Sequence, residues 1–176
     1  MLRGKSIQLR PVRQSDLDEL YDRHSDIANR GDFFPLGFVS ESDFRRRFQD
    51  NGFWAKDEGM LLIVDEAGSI LGHIEFYKTV SYLDELELSY QIYEQAERGQ
   101  GYTTEAVNLL VWYLFSRLKA NRIRLIIHPE NRASSRVAEK CGFSYEGTAR
   151  GAWYHLGLNL DVDVYAILRN EVNMVR

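Results

Sequence analysis

Arg98, Gly99 and Gly101 share one short turn, and Tyr102, Thr103 and Thr104 follow directly. Two glycines beside an arginine let successive backbone N–H groups point into one concavity, and a helix starting at that point adds the partial positive charge of its N-terminus. The chemistry on offer is phosphate binding. No Gly-Lys-Ser/Thr tripeptide follows these glycines, and Thr104 stands where the dinucleotide fingerprint has its third glycine, so neither common nucleotide pattern fits. A ligand-free strand-to-helix turn is the competing account.

A second run, His128 to Phe143, holds Asn131-x-x-Ser134 and then Lys140-x-Gly142-Phe143. Arg98-x-x-Gly101-x-Thr103 resembles the pyrophosphate-binding motif of the GNAT superfamily of N-acetyltransferases, with Thr103 where Gly or Ala is usual. The second run resembles the signature of the RimJ/RimL-like branch, the ribosomal-protein N-terminal acetyltransferases. The motifs occur in the family's order, and with Glu146-Gly147 and Asp163-Val164-Tyr165 the resemblance extends over nearly the whole chain. It implies acetyl-coenzyme A as donor, a primary amine as acceptor, and direct attack on the thioester.

The resemblance also implies roles. Backbone groups of Gln91, Ile92 and Tyr93 would pair with the pantetheine arm and polarise the thioester carbonyl. Arg98, Gly99, Gln100, Gly101, Tyr102, Thr103 and Thr104 would hold the pyrophosphate, and Asn131 would meet the pantetheine or acetyl end. Many members place a tyrosine donor for the departing thiolate one helical turn beyond Ser134. Ala138 stands there, so Ser134 is the candidate donor; its other reading is a helix-start residue bonded to backbone. The amine must shed a proton before attack. Glu87 is the candidate base, with Glu75, His73, Tyr154 and His155 in reserve. Acceptor contacts are expected from Phe33, Trp54, Glu75, Tyr82 and Trp153, and the acidic Asp84, Glu85 and Glu87 would favour a cationic amine. The acceptor is then a small-molecule amine or a protein N-terminus. A coenzyme A-binding sensor or scaffold would keep the glycine turn without needing Ser134 or Glu87.

The elements that must position these residues follow from periodicity. Leu86, Leu88, Tyr90 and Ile92 alternate with Glu85, Glu87, Ser89 and Gln91, which predicts a central strand with one apolar and one polar face running into the glycine turn. The apolar stripe Ala106, Leu109, Leu110, Tyr113, Leu114 and Leu118 predicts a long helix over 102–118. Earlier, a strand at 7–10, helices at 15–24 and 40–51, and a hairpin of 60–64 with 70–80 are expected, the aromatic segment 31–37 being a loop. Later come a strand at 123–127, a helix over 131–141 stopped by Gly142, and strands at 143–145 and 161–168. The expected fold is α/β (α+β): a mixed, mostly antiparallel sheet of about seven strands, flanked by helices, with a parallel splayed central pair.

At 176 residues the chain fits one domain, 1–176. Hydrophobic residues make up 44% and charged ones 27%, an ordinary globular balance. A formal charge of -4 with scattered acids argues against nucleic acid, and Arg45-Arg46-Arg47 reads as a solvated helix face. No apolar run suits a membrane or a signal peptide, so the expectation is a cytoplasmic monomer or homodimer. Cys141 is the single cysteine, expected buried, which leaves no internal disulfide and no cysteine-based metal cluster.

Overall fold

The computed structural model describes residues 1–173. Eight strands form one sheet: β1 (Leu2–Arg3), β2 (Gln8–Pro11), β3 (Glu58–Val64), β4 (Ile70–Tyr77), β5 (Glu85–Ile92), β6 (Arg122–Ile127), β7 (Ser144–His155) and β8 (Leu158–Leu168). Their order is β1-β2-β3-β4-β5-β6-β8-β7. Every neighbouring pair is antiparallel except β5 with β6. Four helices cover it: α1 (Leu17–Ser25), α2 (Glu41–Asn51), α3 (Tyr102–Arg117) and α4 (Arg132–Lys140).

The sheet has the expected mixed, mostly antiparallel form, and its eighth strand arises because Leu2 and Arg3 turn back at Gly4 and pair with Leu9 and Gln8. One expectation needs correction: β7 runs on to His155, far past the expected 143–145, despite register shifts between Tyr145 and Gly147 and between Ala149 and Trp153. Bulges and small polar residues there erase the period-two signal on which a strand reading depends.

β3 shows why the core has two halves. Leu61 and Ile63 join Ile74, Phe76, Leu86 and Leu88 under Ala106, Leu110 and Leu114 of α3. Met60, Leu62 and Val64 face the other way, against Leu17, Leu20 and Phe44 of α1 and α2. A strand buried on both faces has no polar side, hence its unbroken apolar run.

One buried ion pair anchors the entry to α1. The Arg10 guanidinium grips both Asp16 carboxylate oxygens, at 2.6 and 3.0 Å, and the Arg13 backbone N–H adds a third bond at 2.7 Å. Burial alone would raise the Asp16 carboxyl; the Arg10 and Arg13 bonds outweigh it and hold the group below the usual carboxylate range. Asp16→Asn is therefore expected to cost roughly 3–5 kcal/mol by leaving Arg10 buried and uncompensated, read by urea unfolding. Because the folded pKa is depressed, the pair contributes fully above the unfolded value near ~3.9 and is lost as pH falls through the folded one. The deficit of the variant should thus shrink in acid.

At the far end of α3, Arg169 reaches back after β8: its Nε donates to the Ala120 carbonyl at 3.0 Å, and its other nitrogens bond the carbonyls of Phe115 and Leu118. These satisfy backbone acceptors that a helix end leaves without intrahelical partners.

Candidate active site

The central parallel pair makes the site. β5 and β6 pair only at Glu85, Leu86 and Glu87 with Arg122, Ile123 and Arg124. Beyond that point β5 stays with β4 as far as Ile92, β6 stays with β8 as far as Ile127, and the two part. The base of this splay is bolted by charge. Arg122 pairs with Glu85 and Glu146, while Arg124 pairs with Glu85 and Glu87, both at 2.9 Å. The Tyr77 hydroxyl donates to Glu87 at 2.7 Å.

A cleft of about 420 Å³ opens where the strands part, within the range of small-molecule sites. It is lined from four directions: the segment after α1 (Arg30 to Phe34), the end of β5 (Tyr90 to Ile92), the glycine turn with the start of α3, and one side of α4.

Gly99 and Gly101 adopt φ of 81° and 90°, a region that favours glycine. Gly101 is the N-cap of α3 and makes no side-chain cap bond, so the first-turn N–H groups at Tyr102, Thr103 and Thr104 have no side-chain cap. The one acid of that turn, Glu105, is drawn off by the backbone N–H groups of Lys5 and Ser6. The helix mouth is therefore left to an outside anion. Arg136 and Lys140, one turn apart on α4, add positive charge to the opposite wall.

Arg98 lines the cleft and also braces it. Its Nε donates to the Ile92 carbonyl at 3.2 Å and a terminal nitrogen to the Tyr93 carbonyl at 3.3 Å, tying the glycine turn to the end of β5. The Tyr93 N–H donates to Leu71 at 3.0 Å. Backbone groups alternate sides along a strand, so the Ile92 N–H is directed to the open edge. Asn131 caps α4: its side-chain oxygen accepts from the Ser134 N–H at 3.1 Å, which fixes where Ser134 stands in the cleft.

Of the residues singled out from sequence, Phe33, Gln91, Ile92, Arg98, Gly99, Gly101, Tyr102, Thr103, Thr104, Asn131 and Ser134 line this cleft together. Gln100 and Tyr93 are outside its lining, and Tyr93 is buried in the second core half. Glu87 sits in the charge network at the base. Trp54 packs on Phe76 and Tyr113 against the core, outside the cleft lining. Glu75 lines a separate cavity of about 90 Å³ with Arg47 and Glu58, and burial raises its carboxyl. Tyr82 is 85% exposed between β4 and β5. Trp153 lies within β7, stacked on His155 at 4.2 Å and meeting the edge of His128, which stacks in turn on Phe33. His73 is fully buried, its Nδ1 2.9 Å from the Tyr93 hydroxyl, and burial lowers its pKa to about 3. Sequence reasoning missed Tyr90, Arg136 and Lys140 as lining residues; the i, i+4 spacing of the last two was the available signal.

A splayed parallel pair beside an uncapped helix mouth makes an elongated cleft with unpaired backbone donors at one end and parted strands at the other. The comparisons agree. A family model described as "Acetyltransferase (GNAT) domain" matches residues 6–144. "Probable N-acetyltransferase YjcK" of Bacillus subtilis is 31% identical over 97% of this chain and 98% of its own. Among solved structures, spermidine N-acetyltransferase from Vibrio cholerae in complex with CoA and spermine superposes with a TM-score of 0.81 at 20% identity, over 94% of this chain and 96% of that one. RimL, a ribosomal L7/L12 alpha-N-protein acetyltransferase in complex with coenzyme A, gives 0.79 at 21%, over 94% and 95%. The chain belongs to the GNAT family of N-acetyltransferases, whose acyl donor is acetyl-coenzyme A.

Proposed function

We propose that the protein moves the acetyl group of acetyl-coenzyme A directly to a primary amine, a small-molecule amine or the α-amine of a protein N-terminus, with both substrates bound at once. The observation that carries this is the cleft's continuity from the uncapped mouth of α3, through the parted strands, to Ser134. The α3 amides and the Arg136 and Lys140 charges would hold the diphosphate end. The Ile92 N–H would polarise the acetyl carbonyl, and Ser134 would meet the departing sulfur. The two relatives with bound coenzyme A act on spermidine and on a ribosomal protein, which supports both acceptor classes.

Glu87 serves in this proposal as a strut. Two donors, Arg124 and Tyr77, already occupy it, so it cannot take the amine's proton without breaking the base of the splay. The Glu85 and Glu87 charges are likewise offset by Arg122 and Arg124 and do not select a cation. Glu87→Gln is expected to lower stability by roughly 1–3 kcal/mol, leaving the pH profile of turnover in place. A lost acidic limb in that profile would return Glu87 to the chemistry.

The deciding experiment is release of free thiol from acetyl-coenzyme A against a panel of small amines and N-terminal peptides. Turnover with one class assigns the acceptor. Tight coenzyme A binding with no turnover across both classes would overturn catalysis in favour of a sensor or scaffold.

A further inference from the structure

Tyr90 projects from β5 on the face shared with Leu88 and Ile92, opposite Ile74 of β4, and packs against the main core. A tyrosine at such a position brings a hydroxyl that must find a partner. Here that hydroxyl is sealed from solvent and completes no hydrogen bond among the described residues. Burial pushes the phenol well above its ordinary pKa, and the adjacent Ser134 hydroxyl pulls it only partly back. Tyr90 and Ser134 line the same cleft. One turn further along α4, Ala138 is fully buried and has no proton to give.

We infer that Tyr90 is a positioning residue for thiolate departure: with coenzyme A bound, its phenol hydroxyl completes the bond it lacks in the free protein by donating to Ser134 Oγ, so that the serine's own proton is turned into the cleft toward the coenzyme A sulfur. A serine hydroxyl is a poor acid by itself, and a second hydroxyl donating to its oxygen strengthens it by stabilising the charge left when its proton departs. Coupling the two hydroxyls gives Ser134 a donor behind it. As the amine nitrogen bonds to the carbonyl carbon and the carbon–sulfur bond breaks, the bonding pair goes to sulfur. Sulfur takes the Ser134 proton while the Tyr90 hydroxyl steadies the serine oxygen, and the proton shed by the amine returns to that oxygen through water in the cleft. The high phenol pKa keeps Tyr90 loaded with its proton at rest.

This inference rests on the proposed placement of the thioester beside Ser134, and its test is built to fail separately from acetyl transfer. Tyr90→Phe removes one oxygen from a folded core. The first readout is the ionisation of bound coenzyme A's thiol, followed by the ultraviolet absorbance of the thiolate with the free protein subtracted. Cys141, the single protein thiol, is buried and pushed up to about 12, so it stays silent in the working range. Tyr90→Phe and Ser134→Ala should each raise the pKa of the bound thiol by about one unit, a tenfold change in ionisation, and the double variant should raise it no further. Coenzyme A affinity at neutral pH, where the thiol is protonated, should not move. The second readout is turnover: kcat should fall at least tenfold in Tyr90→Phe with the KM for acetyl-coenzyme A unchanged. An unchanged thiol pKa in Tyr90→Phe, or effects of the two substitutions that simply add, would overturn the inference. A shifted thiol pKa in a protein that acetylates nothing would uphold the hydroxyl pair and sink the catalytic reading.

Discussion

Gly101→Val should weaken acetyl-coenzyme A binding about a hundredfold, equivalent to roughly 2.7 kcal/mol, as measured by calorimetry. Gly101 holds φ at 90° as the residue before α3, and a β-branched side chain disfavours that backbone by about 1–2 kcal/mol. An added Cβ at Gly101 meets nothing within 4 Å, so the apo protein has room for it. The bulk would sit on the side of the cleft where the proposed diphosphate must approach the α3 amides. Gly68→Val is the control. Gly68 has φ of 91° in the β3–β4 turn, also with open space around it, and is absent from the cleft lining. Both variants should lose similar stability, but only Gly101→Val should lose the ligand. Equal retention of affinity by both would remove the glycine turn from the site.

The second large effect belongs to Gly72. A Cβ there would lie 2.0 Å from the Gln91 carbonyl oxygen and 3.0 Å from the Ile92 Cα, all of it backbone with no flexible side chain to yield. Gly72→Ala must therefore push β4 and β5 apart, where β5 has already left β6 and has no second neighbour to hold it. The expected cost is about 1–3 kcal/mol in stability. The larger loss is in kcat/KM, about a hundredfold, because the Ile92 N–H and the cleft wall move with the strand. Gly59→Ala separates crowding from site distortion. Its Cβ would meet the rings of Phe76 and Trp54 at 2.6 Å, side chains that can shift, and it lies off the cleft. That variant should lose stability and keep its turnover per folded molecule.

Much of this architecture is legible in the amino-acid sequence itself. The period-two pattern of 85–92, the glycines at 99 and 101 and the stripe on α3 each encode a local rule, and each element formed where that rule placed it. Asn131 and Ser134 entered the cleft because a cap and its helix fix one another over four residues. What escaped depended on partners far away in the chain. Glu87 reads as a free carboxylate on a polar face until Arg124, 37 residues on, arrives beside it across the parallel pair. Arg98 reads from sequence only as a phosphate ligand, and its bonds to the carbonyls at the end of β5 emerge only from the fold. Trp54 is expected from sequence at the acceptor, but an isolated bridge with Gly59 folds it back onto Phe76 and Tyr113. Tyr90 was hidden by its own regularity: it fell on the apolar beat, and only its hydroxyl set it apart from Leu88 and Ile92.

The Arg169 clasp has an electrostatic consequence for the opposite end of α3. Sixteen residues at about 1.5 Å each separate the two termini by about 24 Å, and peptide dipoles along that length leave a partial negative pole at the carboxyl end. A guanidinium resting on those last carbonyls discharges that pole. The helix thus behaves as a half-neutralised magnet whose remaining positive tip faces the cleft, and a residue of the chain's final segment, remote from any ligand, helps set how strongly that tip attracts one.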